Sequence, residues 1–423
     1  MNNKNKWIPF FYGLAELGPA TIDIFIKVYL LVYFDLVMGL SPTKASIAIG
    51  LSVFWDALID PLIGRFSDSY YSKNGNRKNI LYIASFLMTI SFMTVWLLPK
   101  GSDLFLFCSL MFVSAVLNSS LALFSIPYIA IANDIEADNV KRKVWIGWRI
   151  AFLNLGSIIG LSVAAYFMSD QSSASNQKGY VSSAYFLAAL TILTALYSIF
   201  YVYKNTAKQT VGLVSQKSLP FRRIFSDNLF KKLLASFFIV YCATGLNSTL
   251  ALYYYRNYLK MAEKDIQIIL VSFLIIFTLS LPIWIYLSKY FQQKNLIILG
   301  ATVLGVSTIL IFPNLLGQNF LVVFMCASVL GGLFVGVAVI LETYLSEYLN
   351  QKELDLKQSV AGQYLGLWKM AQKISRAIAV AISGPILQIS ENNPQLLANY
   401  FGFVVGGLFL ISALIMMIPV SEK

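Results

Sequence analysis

The chain has 423 residues, of which 58% are hydrophobic and only 12% are charged. A soluble globular protein has about 45–50% apolar and about 25% charged residues, so this composition excludes a soluble enzyme, a disordered chain and a secreted disulfide scaffold. The apolar side chains are numerous enough for twelve membrane spans of ~20 residues each.

Twelve apolar segments follow one another along the chain, each long enough to cross a bilayer. They are predicted at 8–34, 45–66, 79–98, 104–132, 145–168, 180–203, 233–258, 266–288, 294–313, 319–348, 361–389 and 397–419. The longest polar connection, the linker 204–232, separates an N-terminal six-helix bundle (1–203) from a C-terminal one (233–423). Most loop Lys and Arg residues share a side with the N terminus, so both termini are predicted to be cytoplasmic. An all-α membrane protein of two six-helix bundles is typical of transporters.

The net charge of +12 lies mostly in these short loops, which indicates membrane topology rather than nucleic-acid binding. We therefore expect a lipid bilayer around the chain, a small-molecule substrate and no nucleic-acid partner. Because the chain has no histidine, a proton pathway must use carboxylates, tyrosines or water. A GxxxxGK[ST] phosphate-binding motif is absent, which disfavours ATP-driven export. We expect no enzymatic activity and no cofactor beyond a coupling ion, H⁺ or Na⁺.

The first and fifth segments carry charged groups at membrane depth, where an unpaired charge is expensive. Glu16, Asp23 and Lys27 lie on one helical stripe, which predicts either a polar face toward water or an internal Asp23–Lys27 ion pair with one separate acid. Glu16 and Asp23 are predicted to line the substrate path together with Arg149. In the fifth segment Arg149 stands beside Trp145, and a guanidinium with aromatic faces suits a sugar ring or an acyl chain. The alternative is that the tryptophan only marks the membrane interface.

The second segment contains the string WDALIDP, in which Asp56 and Asp60 are one helical turn apart near the bilayer midplane. Two carboxylates this close resist simultaneous ionisation in a low dielectric, so they would bind a proton or a hard cation. The alternative is a static network with basic residues. We predict a coupling-ion site here and no metal site beyond a possible Na⁺ at these two residues.

A cluster of charges follows the second segment. Asp68 stands at its end, and Arg77 and Lys78 form a basic turn before the next segment. These residues are predicted to form a charged latch that gates the cytoplasmic side. The competing interpretation is that these basic residues only reflect the usual excess of Lys and Arg in cytoplasmic loops.

The eleventh segment is the polar element of the C-terminal bundle. Lys373 is the expected counter-charge to the two aspartates of the second segment, while Trp368 and Gln372 are predicted to contact substrate. Glu342, on the tenth segment, is expected to pair with the eleventh.

Several motifs resemble the glycoside–pentoside–hexuronide (melibiose permease-like) cation symporter family of the major facilitator superfamily. They are Tyr12-Gly13, Tyr33-Phe34-Asp35 leading to Gly39-Leu40-Ser41, WDALIDP, the stretch from Gly64 to Lys78, Ile126-Pro127-Tyr128, Arg149 and Lys373. The resemblance implies the major facilitator fold and alternating access coupled to Na⁺, Li⁺ or H⁺. It also implies that Asp56 and Asp60 carry the ion, with Lys373 near them and Arg149 beside the sugar.

Three departures from that family's pattern bear on the ion and the substrate. Ile59 and Ala122 stand where the family often has oxygen-bearing side chains, which favours H⁺ over Na⁺. Ser125 replaces an acid before Ile-Pro, so the substrate site is altered. The second segment is also similar to that of vertebrate lysolipid symporters, which share the fold, so a lipid cargo is an alternative to a sugar.

The sequence thus predicts a monomeric symporter of a small organic solute, a sugar or glycoside, in the cytoplasmic (inner) membrane. A lysolipid symporter, a proton-antiport exporter and a sensor without flux remain alternatives.

Overall fold

A computed structural model of the chain describes residues 7–135, 139–168, 177–206, 224, 226–356 and 361–419. Every regular element within these residues is helical, and the chain divides into two compact units, Met1–Leu213 and Val214–Lys423. Residues 207–223 and 225 of the predicted linker lie outside the described residues. The proposed bundle and linker limits therefore stay a prediction.

The first unit is built from seven α-helical pieces that match the first six predicted segments. They are α1 (Ile8–Leu14), α2 (Leu17–Val32), α3 (Pro42–Asn74), α4 (Lys78–Trp96), α5 (Asp103–Ile135), α6 (Asn139–Phe167) and α7 (Gln177–Asn205). Helix α2 packs along α6, and α3 packs along α5.

The second unit continues the same pattern. Its helices are α8 (Asn228–Tyr253), α9 (Glu263–Leu287), α10 (Gln293–Ile311), α11 (Phe320–Leu356), α12 (Ala361–Ser390), α13 (Pro394–Asn399) and α14 (Gly406–Met417). Helix α12 packs along α8 and touches α11 at few positions.

Ten helices among the described residues are long and apolar enough to cross a membrane. The first and eleventh predicted segments are helical without meeting both criteria. The first is interrupted between α1 and α2, where Pro19 has no N–H to donate to the carbonyl of Ala15. The eleventh, α12, carries Lys369, Lys373 and Arg376, which lower its hydropathy.

The first spanning helix of each unit ends in the same way, with a π-helical turn followed by one left-handed residue. The turns are Tyr33–Val37 and Tyr254–Tyr258. The left-handed residues are Gly39, with φ of 79°, and Lys260, with φ of 53°. The backbone hydrogen bonds of one turn recur at the corresponding positions of the other. The chain therefore contains an internal structural repeat, as transporters with repeated halves do.

A tyrosine anchors each repeated turn to the end of the third spanning segment of its unit, which is α4 in the first unit and α10 in the second. The hydroxyl of Tyr33 donates to the carbonyl of Trp96 at 2.9 Å, and that of Tyr254 donates to the carbonyl of Phe312 at 2.6 Å. These bonds satisfy carbonyls that a helix end leaves without a partner.

Glycines allow α6 to approach α2 closely. A Cβ on Gly160 would lie 2.9 Å from the carbonyl oxygen of Thr21, and one on Gly156 would lie 2.9 Å from the Cβ of Ala20. Small residues spaced by four positions permit such backbone contact between membrane helices. The contact packs the face of α2 that carries Leu17, Thr21 and Ile24 against the helix that carries Arg149.

Candidate functional site

Helix α3 holds the two carboxylates that the sequence identified. Asp56 and Asp60 are partly buried, and the Oδ1 atom of each is shielded from solvent. The helix continues through Pro61 without a break, so the two side chains stay one turn apart on the same face. This spacing brings two acidic groups into one environment, as the sequence predicted.

Two polar contacts set the register of α3 against α5 around these aspartates. The indole N–H of Trp55 donates to Oγ of Ser119 at 3.1 Å, and the amide of Asn118 donates to Oγ of Ser52 at 3.4 Å. Ser52 lies one turn before Asp56 on the same face of α3. The neighbouring helix therefore presents hydroxyl and amide groups at this level of the membrane.

The described residues contain no group of three or more His, Cys, Asp or Glu side chains that could hold a metal ion. Ala122 is buried on α5 and Ile59 lies on α3, and neither side chain has an oxygen. A bound Na⁺ would need further oxygen ligands beyond the two carboxylates. A proton would not.

A second polar cluster lies where α1, α5 and α6 meet. The hydroxyl of Tyr12 donates to the carbonyl of Tyr128 at 3.4 Å, and the two rings stack with centroids 4.6 Å apart. The ring of Trp145 is 5.2 Å from that of Tyr12. Arg149 interacts electrostatically with Glu16 and with Tyr12. The structure thus brings three predicted substrate residues, Glu16, Trp145 and Arg149, into one aromatic and charged group.

The other two residues predicted on the substrate path of this unit are Ser125 and Asp23, and Asp23 interacts electrostatically with Glu16. Asp23 forms an ion pair with Lys27 one turn along α2, which was one of the two alternatives for that stripe. Ser125 is partly buried on α5, two residues before Pro127. The sequence signal for Tyr12 and Tyr128 lay only in the family motifs, and the aromatic pair they form was not foreseen.

The predicted latch forms a buried guanidinium site. Arg77 donates to Oδ1 of Asp68 at 2.9 Å and to Oγ of Ser67, while its side chain is 4% exposed and that of Asp68 is 68% exposed. The ring of Tyr71 lies 4.8 Å from the guanidinium. Lys78 instead lies over the ring of Tyr82, at 5.7 Å. The ion pair thus joins the end of α3 to the start of α4.

Polar and aromatic groups of α8, α11 and α12 lie close together in the second unit. Lys369 Nζ lies 4.0 Å from Oε1 of Glu342 and donates to Oε1 of Gln372 at 3.4 Å. The link between Glu342 and the eleventh predicted segment is therefore confirmed. Trp368 is buried and stacks on Phe237 with centroids 3.8 Å apart. Lys373 is partly buried on the same helix, in a different unit from the aspartates that it is predicted to neutralise.

A further network, which the sequence analysis missed, ties the start of α8 to α11 and α12. Asp227 accepts hydrogen bonds from Lys352, Tyr348 and Tyr364, and caps α8 by accepting from the backbone N–H of Phe230 at 3.1 Å. Burial alone would raise the pKa of the Asp227 carboxyl, but these hydrogen bonds outweigh it and lower that pKa. The residues are too far apart in the chain for spacing to reveal the network.

A family model described as "MFS/sugar transport protein" matches residues 11–420, nearly the whole chain. The chain belongs to this family. It is thus a multi-pass membrane transporter of the major facilitator superfamily, and the predicted fold class is confirmed. On which side of the membrane each terminus lies stays a prediction.

Relatives and solved structures agree with this assignment. The chain is 22% identical to the sphingosine-1-phosphate transporter MFSD2B of Xenopus tropicalis, over 94% of this chain and 82% of that protein. It is 23% identical to the sodium-dependent lysophosphatidylcholine symporter 1 of Mus musculus, over 77% of this chain and 66% of that protein.

Two solved structures share the fold. A D-xylose-proton symporter matches with a TM-score of 0.75 at 15% identity, covering 99% of this chain and 98% of its own. The nucleoside transporter NupG, solved as a point mutant, matches with a TM-score of 0.72 at 11% identity, covering 97% of this chain and 99% of its own.

Proposed function

We propose that the chain is a cation-coupled symporter of the cytoplasmic membrane that carries an amphiphilic organic solute by alternating access. The observation that carries the proposal is the pair Asp56 and Asp60, one turn apart and partly buried on a spanning helix. Carboxylates inside a membrane are costly, and they mark ion or proton pathways in transporters. The motifs shared with the glycoside–pentoside–hexuronide symporters support the same assignment.

The coupling follows from charge neutralisation. An ion bound between the two carboxylates removes their repulsion, so the loaded carrier and the ion-free carrier favour different conformations. Because linkage is reciprocal, solute and ion each raise the other's affinity, and a gradient of one drives the other.

The identity of the ion rests on the oxygen count around the carboxylates. Ile59 and Ala122 offer no side-chain oxygen, which favours H⁺. In contrast, Ser52, Asn118 and Ser119 bring oxygen atoms to the same level of the membrane. The relatives described as sodium-dependent support Na⁺. Uptake into proteoliposomes that follows a pH gradient without Na⁺ would support the proton, and a strict Na⁺ requirement would refute it.

For the substrate, a lysolipid-like amphiphile is the first candidate. It is supported by the relatives named for sphingosine-1-phosphate and lysophosphatidylcholine, the former aligned over nearly the whole chain. A sugar or glycoside is the second candidate, favoured by the cluster of Glu16, Arg149 and Trp145, whose charged and aromatic groups suit a sugar ring. The charged latch at Asp68 and Arg77 is proposed to gate the cytoplasmic side for either cargo.

The deciding experiment measures uptake by purified protein in proteoliposomes. Asp56→Asn should abolish accumulation against a concentration gradient while downhill exchange of the same solute persists. Asp103→Asn is the matched control, because Asp103 is an exposed aspartate of the same unit, paired with Lys44 at 2.6 Å. Undiminished uphill accumulation by Asp56→Asn would refute the proposed coupling site.

The same vesicles distinguish the substrates. Radiolabelled lysolipid uptake that excess lysolipid, but not sugars, reduces would select the first candidate. The reverse pattern would select the second.

A further inference from the structure

The Glu342–Lys369 pair in the second unit combines a carboxylate and an ammonium on a solvent-accessible surface at membrane depth. Glu342 lies inside the apolar stretch Phe320–Leu349 of α11, and the side chains of Glu342 and Lys369 are 46% and 61% exposed. Charged groups inside a membrane face water or protein, because exposure to lipid is expensive. The pair therefore marks a wet surface.

The contact between these two charges is loose. Lys369 Nζ and Glu342 Oε1 are 4.0 Å apart, whereas Arg256 and Glu263 of the same unit meet at 2.5 Å. Helix α12, which carries Lys369, touches α11 at few positions and packs mainly along α8. A ligand could therefore enter between the two charges without breaking an extensive helix interface.

Hydrogen-bonding and aromatic groups surround the pair. Lys369 donates to Gln372 at 3.4 Å, and Gln372 is hydrogen-bonded in turn to the hydroxyl of Tyr241 on α8. The Tyr241 ring lies 4.3 Å from that of Phe237, on which Trp368 stacks. Aromatic faces beside a carboxylate attract a quaternary ammonium group.

Trp368, which precedes Lys369 on α12, has a polar atom without a hydrogen-bond partner among the described residues. The Trp368 side chain is 1% exposed, and its indole N–H has no acceptor among the described residues. A buried donor of this kind costs free energy unless an acceptor reaches it.

We infer that Glu342 and Lys369 form a binding site for a zwitterionic headgroup that contains a phosphate and an ammonium. Lys369 binds the phosphate, Glu342 binds the ammonium, and the Tyr241 ring packs against the ammonium. A zwitterion supplies both charges at once, so neither side chain is left unpaired when the ion pair opens. A neutral sugar carries no charges that could replace the partners of Glu342 and Lys369 when their ion pair opens. The inference rests on the proposed function and specifies its substrate class.

The test is equilibrium binding to the purified full-length protein in detergent, without an ion gradient. The probes are lysophosphatidylcholine, lysophosphatidic acid and monoacylglycerol with the same acyl chain, so only the headgroup differs. The wild type should bind lysophosphatidylcholine most tightly. Lys369→Gln should weaken binding of both phosphate-bearing probes by roughly 10- to 100-fold, as expected for one hydrogen bond to a charged group. Glu342→Gln should weaken binding of lysophosphatidylcholine alone, by roughly 2- to 5-fold, because a quaternary ammonium has no N–H and is held by charge attraction at a partly exposed carboxylate.

A charge swap separates recognition from structure. The double variant Glu342→Lys with Lys369→Glu restores an ion pair, and thermal unfolding should show wild-type stability. It should still bind lysophosphatidylcholine poorly, because the acyl chain fixes which end of the headgroup meets each side chain. Lys44→Gln, which opens an exposed ion pair in the other unit, should bind all probes like the wild type.

Two results would overturn the inference. One is recovery of wild-type lysophosphatidylcholine binding in the swapped variant, and the other is a wild type that binds the three probes equally. Neither result touches the coupling at Asp56, which is measured by uphill uptake. Conversely, loss of coupling would leave the binding order of the probes unchanged.

Discussion

Replacing Lys260 with glycine is expected to stabilise the protein, although it removes a charged side chain. Lys260 has a φ of 53°, and it is the one residue other than glycine with a positive φ among the described residues. A left-handed conformation brings the Cβ too close to the following carbonyl oxygen. The corresponding residue of the first unit is Gly39, which has no Cβ and adopts φ of 79° without that conflict.

The magnitude follows from two opposing terms. The left-handed conformation costs a residue with a Cβ about 1–2 kcal/mol, and the greater freedom of glycine in the unfolded chain costs about 0.4–1 kcal/mol. Their difference predicts that Lys260→Gly raises the free energy of unfolding by about 0.5–1 kcal/mol. Gly39→Ala should lower it by a similar amount, because a Cβ there meets no atom within 4 Å and only the backbone term remains.

Thermal unfolding of the purified protein in detergent measures both variants, and we expect opposite shifts in Tm of about 0.5–1 °C. Lys264→Gly is the matched control, since Lys264 is an exposed lysine in the first turn of α9 and glycine is unfavourable in a helix. It should lower Tm or leave it unchanged. A lower Tm for Lys260→Gly, or a higher one for Gly39→Ala, would refute the strain argument.

Three further predictions concern other contacts. The hydrogen bonds that Asp227 accepts in the folded protein lower the pKa of its carboxyl group. The carboxylate therefore contributes its full stabilisation above about pH 4, the ordinary pKa of an aspartate. This stabilisation is lost as the pH falls through the lowered pKa. Asp227→Asn should therefore flatten the acid limb of a Tm-against-pH curve, and an unchanged curve would contradict this. Arg77→Gln should lower Tm by leaving the Asp68 end of α3 without its buried partner, whereas Lys78→Gln, at a more exposed neighbour, should change Tm little. Gly156→Leu should prevent close packing of α6 on α2 and reduce the yield of folded protein in size-exclusion chromatography, and a wild-type elution profile would contradict it.

The local sequence pattern was sufficient to predict the spanning segments and the paired charges on single helices. Each spanning segment is visible as a run of apolar residues, because backbone groups in lipid must be satisfied within a helix. The ion pair of Asp23 with Lys27 was one of two alternatives that their spacing raised, since residues four positions apart lie on one face. The paired aspartates of α3 were visible for the same reason.

The same pattern gave a wrong prediction where a helix is irregular. The first predicted segment is continuous at 8–34, but the structure interrupts it between α1 and α2 and ends it in a π-helical turn. Apolar composition does not report such breaks, because the side chains remain suited to lipid throughout. The tyrosine that anchors the turn reaches a carbonyl on a separate helix, which no local window contains.

The sequence by itself determined the membrane class, the spanning segments and the presence of acidic and basic groups at bilayer depth, because these depend on composition and on helical periodicity. Only the tertiary structure decided which charges meet. It placed Arg77 on Asp68, drew Lys352 to Asp227 and left a loose contact between Glu342 and Lys369. Electrostatic energy depends on the distance between groups and on their burial, and both are fixed by how helices pack rather than by where residues stand in the chain.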